Sequence, residues 1–471
     1  MIRPNILVIF TDQQSATMMS CAGNRYFQTP AMDSLAEWGT RFERAYCSFP
    51  VCIASRFSFM TGRMPSAIDV TVANKLRSIS DNNIETIPQE VIDHSLGHVM
   101  RAAGYETFYA GKHHFPKMTA EDCGFTVLTK DQRDICADVC ADFLLRRVSA
   151  EQPFLLITSF VNPHDICYLA IRDSMADDQE QRLIENGKTE LGVLNQALEI
   201  PQDVDEETFL MERCPPLPIN HLPLEDEPEA VQEILERRAF RAIVREKWTE
   251  KEWRMHRWAY GRLTEMVDAQ IGRVLQVLPQ SGLENNTVII FTSDHGDHNG
   301  ARKMEHKTFP YEEAVRVPLI VSLAGETRMG VVDDVHLVSN GLDLLPTLCD
   351  YAGIDPPAGL AGASFRGLAS GKTPDDWRRA LVVESANRRM IRDHQFKYIL
   401  YGSGANREQL LDLKTNPHEM RNLVHNPQYA AITQTLHNQL RNWAIEIGDT
   451  RTLDWLVPLR QIGDRVDVNQ R

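Results

Sequence analysis

Ser48-Phe49-Pro50-Val51-Cys52-Ile53-Ala54-Ser55-Arg56, followed at once by Phe57-Ser58-Phe59-Met60-Thr61-Gly62-Arg63, is the stretch around which the rest of the chain is organised. A loop containing Pro50 gives way to a run that reads as a helix. That places Cys52 at a helix N-terminus, where unpaired backbone N–H groups and the helix dipole favour an anion. Such a position suits a nucleophile. Arg56, one turn on, shares the face of Cys52 and is placed to hold a tetrahedral anion near the reacting atom. Taken alone, a single cysteine in this setting reads as inert packing, so the motifs on either side decide its meaning.

Upstream, Ile6 to Phe10 is an unbroken apolar run ending in Thr11-Asp12-Gln13-Gln14. It reads as a buried parallel strand that delivers polar groups to its C-terminal edge, where ligands of open α/β sheets collect. Asp12 is there a candidate metal ligand, with a turn or N-cap aspartate as the plain alternative. Downstream, a strand over Glu106 to Ala110 ends in Gly111-Lys112-His113-His114, and Pro153 to Val161 ends in Asn162-Pro163-His164-Asp165. A third, Thr287 to Thr292, runs into Ser293-Asp294-His295-Gly296-Asp297. Isolated, each polar cluster has an ordinary surface or structural reading; repeated at successive strand ends, they point to one site.

Cys52-Ile53-Ala54-Ser55-Arg56 with Thr61-Gly62-Arg63 resembles the signature of the type I, formylglycine-dependent sulfatases of the alkaline phosphatase superfamily, which usually carry proline where this chain has Ala54. The resemblance implies that Cys52 is oxidised to formylglycine (3-oxoalanine), whose hydrate attacks sulfur. Alanine at position 54 resembles the variant accepted by radical-type maturation enzymes, so a formylglycine-generating enzyme is an implied partner. The family's metal motifs carry over to Asp12, Gln13, Asp294 and His295 together with the modified Cys52. Gln13 stands where many sulfatases have a second aspartate, and as a neutral oxygen ligand or a residue behind the ligands it matches choline sulfatases and phosphonate monoester hydrolases. The oxygen-rich set suits Ca²⁺, with Mg²⁺ or Mn²⁺ as alternatives. Lys112 and His114 fall on a Gly-Lys-x-His element, Lys112 on sulfate and His114 on the formylglycine hydroxyl. His164 falls where the family faces the leaving-group oxygen, with Asp165 orienting its ring or touching substrate. Lys307, four residues before Tyr311-Glu312-Glu313, corresponds to the lysine bridging sulfate and leaving group. Asn74 matches a pocket asparagine. Tyr311, Glu312 and Arg316 are expected to be scaffold.

Composition limits the other readings. The 471 residues carry a formal charge of -15, which argues against nucleic acid as a partner. No run is long enough to span a bilayer. Nine scattered cysteines without CxxC pairs favour a reducing compartment over a disulfide framework. Met1-Ile2-Arg3-Pro4 leads straight into the first strand, too short for a secretory leader, so a cytoplasmic protein is expected, or a periplasmic one if a leader has been trimmed. The oligomeric state is open.

The fold class expected is α/β, an alkaline-phosphatase-like sandwich with a large, mostly parallel sheet between helices. A catalytic domain over 1–378 would contain a charge-rich insertion over about 168–248. A C-terminal subdomain over 379–471 would hold short antiparallel strands near 381–384, 389–392, 396–401 and 409–413 and a helix bearing Ile432, Leu436, Leu440, Trp443 and Ile447. A helix carrying Leu35, Trp38 and Phe42 on one face, another near Val91 to Ala103, and a long one over Trp253 to Leu278 complete the pattern. The substrate implied is a sulfate monoester, a small or terminal sulfated carbohydrate, because acidic clusters such as Asp203 to Glu207 would repel long polyanions. Two alternatives stand beside it: phosphonate monoester or phosphodiester hydrolysis by the same constellation, and an unconverted, anion-binding pseudoenzyme.

Overall fold

The structure is a computed structural model and describes residues 3–67, 86–147 and 152–456. Its centre is an eight-stranded sheet. Its strands are β1 (Asn5–Asp12), β2 (Thr40–Phe42), β4 (Glu106–Gly111), β5 (Thr126–Thr129), β6 (Phe154–Pro163), β7 (Thr287–Ser293), β8 (Leu319–Ser322) and β9 (Val331–Asp333), in the order β5-β4-β6-β1-β7-β8-β2-β9. The pairs from β5 to β7 are parallel, and β8 runs antiparallel to both β7 and β2. Two short segments, β3 (Ala45–Tyr46) and β10 (Val338–Ser339), form a parallel pair beside it.

Side chains on a strand alternate between faces, and β1 uses both. Ile6, Val8 and Phe10 join a core that includes Ile53, Phe57 and Met60 of the Cys52 helix and Leu345 and Leu348 of the helix Asn340–Ala352. Leu7 and Ile9 face the opposite core, with Val267, Ile271 and Val274 of the helix Glu250–Leu275 and Met32 and Leu35 of the helix Pro30–Trp38. A strand covered on both faces must be continuously apolar, as β1 is.

The register gathers the polar tails. Thr11 pairs with Ser293, Asp12 with Pro163, and Gly111 with Ser159, so Asp12, Lys112, His164 and Asp294 all arrive at one edge. Gly111 is required there: its φ is 93°, and a Cβ would meet the Ser159 carbonyl oxygen at 1.9 Å.

Several elements differ from the sequence expectation. The Pro30–Trp38 helix ends before Phe42, which lies in β2, and Trp38 is exposed. A helix-period reading could not see that the chain turns at Gly39, where a Cβ would meet the Val321 carbonyl oxygen at 2.3 Å. The span 91–103 is split into Gln89–Asp93 and Leu96–Ala102. The long helix opens at a Thr249/Glu252 capping box and ends at Leu275, with Val277–Ser281 a separate turn. Pro279 explains the break, since it has no N–H to give the Leu275 carbonyl.

The insertion folds as helices, among them Cys167–Ser174, Lys188–Ala197 and Ala239–Lys247. Leu169, Leu194, Phe209, Phe240 and Val244 pack with Trp253, Trp258 and Leu263 of the long helix in a core of their own. After residue 380 come β11 (Leu381–Ser385), β12 (Arg388–Arg392), β13 (Phe396–Tyr401) and β14 (Glu408–Asp412), an antiparallel sheet in sequential order. One face carries the helix Ala430–Ile447 through Leu436 and Leu440; the other joins the main core through Val383, Met390 and Ile399. Lys397 ties the two parts, at 2.7 Å from Glu312 and 2.6 Å from Glu419. Among the described residues no helix is long and apolar enough to cross a membrane.

Candidate active site

Cys52 opens its helix, Cys52–Thr61, and is buried at the polar edge of the sheet. The helix is locked there by Ser55, whose hydroxyl donates to the Asp294 carbonyl at 2.6 Å. The Cys52 Sγ lies 2.8 Å from Lys307 Nζ, 3.2 Å from His295 Nε2 and 3.5 Å from Asp12 Oδ1. Burial and the Asp12 charge push the thiol up, but Lys307, His295 and Lys112 outweigh them and hold it well below the usual thiol range.

Asp12, Cys52, Asp294 and His295 present ligand atoms all within 4.8 Å of one another, each buried. His295 Nδ1 meets the Gly296 carbonyl at 2.8 Å and must donate to it, which turns Nε2 toward the shared space. Gly296 cannot be replaced, since a Cβ would meet the Glu313 carbonyl oxygen at 2.0 Å. Two buried carboxylates and an imidazole nitrogen converging on one point fit a divalent cation. Burial and Asp12 push Asp294 up to about 6, whereas Lys112, His164 and Arg56 overcome burial and keep Asp12 well below the carboxylate range.

Arg56 differs from its expected role. Its Nη2 donates to Asp12 at 2.9 Å, its Nε to Asp294 at 3.0 Å, and its Nη1 to Ser159 Oγ at 2.8 Å and the Lys112 carbonyl at 3.0 Å. With its donors so engaged, Arg56 clamps the two candidate metal carboxylates and does not itself reach toward a substrate anion. Gln13 is likewise committed. Its amide donates to Asp297 at 2.6 Å, and its oxygen accepts from Lys307 at 2.7 Å and Cys167 at 3.2 Å, so it orients Lys307 behind the ligand set.

Lys112 Nζ stands 2.8 Å from Asp12. His114 has a positive φ of 51° and keeps Nδ1 buried without a hydrogen-bond partner among the described residues. Burial, then Lys112 and Lys307, pull the His164 ring down to about 4, so it is neutral. Asp165 is committed to another partner: both its oxygens accept from Arg133 Nη2, at 2.8 and 2.7 Å, in a part-buried ion pair. Glu312, read as scaffold, pairs with Lys397 and accepts from the Tyr46 hydroxyl at 2.8 Å. Asn74 lies outside the described residues.

Sequence reasoning missed Asp297, although it ends the quoted pentapeptide, and Ser159, whose hydroxyl is hidden in a core strand. It also missed Tyr260, which accepts from the Ser15 backbone N–H at 2.8 Å and donates to the Gln13 carbonyl at 2.6 Å. Tyr260 sits on a helix whose periodicity says only that it is core, and no local signal shows that its hydroxyl fixes the turn after Asp12.

Comparison with known proteins agrees with this geometry. The sequence model of the sulfatase family matches residues 4–354, and that of the C-terminal part of N-sulphoglucosamine sulphohydrolase matches residues 300–446. The chain is 28% identical over 457 residues to a Delta 4,5-hexuronate-2-O-sulfatase of Bacteroides thetaiotaomicron, covering 91% of this chain and 86% of that protein. It is 26% identical over 499 residues to an N-acetylglucosamine-6-O-sulfatase of the same organism, covering 91% and 84%. The solved structure of a 2-O GAG sulfatase superposes with a TM-score of 0.77 at 26% identity, covering 95% of this chain and 93% of that one. The chain therefore belongs to the sulfatase family: it is a type I sulfatase of the alkaline phosphatase superfamily, a sulfuric ester hydrolase.

Proposed function

We propose that the protein hydrolyses a sulfate monoester on a small or terminal sulfated carbohydrate, using a formylglycine made from Cys52 and a divalent cation, Ca²⁺ in first place. The observation that carries this reading is the buried convergence of Asp12, Cys52, Asp294 and His295 with Lys307 Nζ 2.8 Å from Sγ. The carbohydrate class is supported by the hexuronate and N-acetylglucosamine sulfatases that the chain resembles along most of its length.

Formylglycine, once formed from Cys52, would supply a geminal pair of hydroxyls as nucleophile and release group. Asp12, Asp294 and His295 would hold the cation, which would supply Lewis acidity there. The chain's own residues do the rest. Arg56 holds the two carboxylates in place. Lys307, oriented by Gln13, and Lys112 bring positive charge to where it develops on the sulfate group. His164, neutral and against position 52, offers a ring N–H to the departing oxygen. His114, with an unpartnered ring nitrogen, is the group available to the second hydroxyl.

The test is a panel of sulfated sugars, sulfamates and phosphonate monoesters, assayed on protein co-expressed with a radical-type maturation enzyme, with mass spectrometry of the Cys52 peptide. Sulfate-ester turnover that rises with aldehyde content is expected. A preference for phosphonates would overturn the substrate reading, and full activity with only thiol at position 52 would overturn the nucleophile.

A further inference from the structure

Position 52 offers two chemically different ligands in turn, a sulfur before conversion and neutral oxygens after it. The buried cluster around it is sensitive to that difference, because its other donors are one imidazole nitrogen and two carboxylates. Hard Ca²⁺ takes about six to eight oxygens, whereas thiolate, imidazole and carboxylate together are a donor set for tetrahedral Zn²⁺.

The spacing of the donors fits the smaller ion. Sγ of Cys52 lies 3.2 Å from His295 Nε2 and 3.5 Å from Asp12 Oδ1, and His295 Nε2 lies 3.6 Å from Asp294 Oδ1. With Zn–S of about 2.3 Å and Zn–N or Zn–O of about 2.0–2.1 Å, a tetrahedron around the ion has edges of roughly 3.3–3.6 Å. The cluster therefore needs adjustments of only a few tenths of an ångström to close on zinc.

Each ligand is also held from behind. Asp12 gives Oδ2 to Arg56 at 2.9 Å and to Lys112 at 2.8 Å, while its Oδ1 faces Sγ. Asp294 Oδ2 accepts from Arg56 at 3.0 Å, and His295 commits Nδ1 to the Gly296 carbonyl at 2.8 Å, which leaves Nε2 free to ligate. Lys307 Nζ, 2.8 Å from Sγ, is placed to donate an N–H···S hydrogen bond to a metal thiolate. Such outer contacts orient ligands and tune affinity.

Charge points the same way. With sulfur as thiolate, the cluster sets three negative charges against the three positive ones of Arg56, Lys112 and Lys307. Conversion leaves only the two carboxylates against the same three cations, so the sulfur form is the better trap for a divalent ion.

We propose that the chain before conversion is a zinc protein, in which Cys52 thiolate, Asp12, Asp294 and His295 close a four-ligand Zn²⁺ site, the thiol proton passing to solvent as the Zn–S bond forms. It rests on the reading of this cluster as the metal centre of a sulfatase, and adds the state that precedes maturation. Four protein ligands fill the tetrahedron, so the zinc-loaded form has no open position for a sulfate and its sulfur is capped. Exchanging sulfur for oxygen at position 52 then changes the preferred metal together with the nucleophile, and the zinc content of a preparation reports its unconverted fraction.

The experiment prepares the chain without and with a maturation enzyme, establishes the state of position 52 by mass spectrometry, and strips both forms of metal. Zn²⁺ affinity is read by competition with a chromogenic chelator, Ca²⁺ affinity by calorimetry, and Co²⁺ serves as a spectroscopic stand-in for Zn²⁺. The thiol form should bind Zn²⁺ at least about 100-fold more tightly than the converted form or Cys52→Ser. It should also show a thiolate-to-cobalt charge-transfer band that the other two lack. In the thiol form, His295→Ala should lose the tight site, whereas Cys214→Ser, which removes a buried thiol outside the cluster, should keep it. If His295→Ala fails to fold, Cys52→Ser still decides. Equal Zn²⁺ affinity in the thiol, converted and serine forms, no Zn²⁺ bound by the thiol form, or a cobalt spectrum without the sulfur band would overturn the zinc site while leaving the sulfatase reading intact. Converted protein that binds neither Ca²⁺ nor any other divalent cation, yet hydrolyses sulfate esters, would instead overturn the metal centre on which it rests.

Discussion

Lys307 Nζ sits between two acceptors, 2.8 Å from Cys52 Sγ and 2.7 Å from Gln13 Oε1, and so ties the nucleophile position to the strand end that carries Asp12. Burial lowers the lysine's pKa and the surrounding negative charges more than compensate, so it stays protonated. Lys307→Ala should cut kcat/KM by about 100- to 1,000-fold, the loss typical of one preorganised donor at a developing anion. Steady-state kinetics on an aryl sulfate and on a sugar sulfate should show it for both.

His164 has a narrower task, confined to the departing oxygen. His164→Ala should slow sugar sulfates, whose alkoxide leaves poorly, by about 100-fold or more, and activated aryl sulfates much less. Equal losses on the two classes would remove that role.

Asp294 belongs to the cluster of four buried ligand-type residues and is clamped by Arg56. Asp294→Ala should lose metal and at least about 100-fold in activity together. Elemental analysis of the purified variant measures the first, and wild-type occupancy would mean that the metal lies elsewhere.

Tyr260 bridges the Ser15 N–H and the Gln13 carbonyl, both buried. Tyr260→Phe strands these groups and should cost about 1–3 kcal/mol of stability, read from urea denaturation. Because the turn it holds leads out of Asp12, metal affinity should fall as well.

Glu384, buried on β11, is pushed by burial from 4.5 up to about 7; Arg389 opposes the shift and Asp449 adds to it. The folded chain therefore keeps the proton where the unfolded chain has lost it. Its contribution to stability is fully present below pH 4.5 and is lost as pH rises through 7, a change of about 3 kcal/mol at roughly 1.4 kcal/mol per pKa unit. Glu384→Gln should flatten that part of the pH–stability curve, measured by chemical denaturation between pH 4.5 and 8.

The sequence by itself determined much of this protein. Unbroken apolar runs such as Ile6 to Phe10 read as strands covered on both faces, and polar clusters directly after several of them point to one shared edge of a parallel sheet. Asp12, Lys112, His164, Asp294 and His295 follow such runs, whereas Cys52 and Lys307 stood out through motifs resembling those of the sulfatases; both kinds of signal are properties of neighbouring residues. What the tertiary structure alone decided is where each charge finds its partner. Arg56 turns to two carboxylates from β1 and from the end of β7, Asp165 turns to Arg133, and Gln13 to Asp297 and Lys307, pairings set by contacts some thirty to three hundred residues apart. The same holds for absences of a partner. Arg388 and Arg389 are indistinguishable in sequence, yet alternation along β12 sends one to Asp449 and the other to the Thr308 carbonyl, with its Nη1 buried and unpartnered among the described residues, since a strand places successive side chains on opposite faces of its sheet.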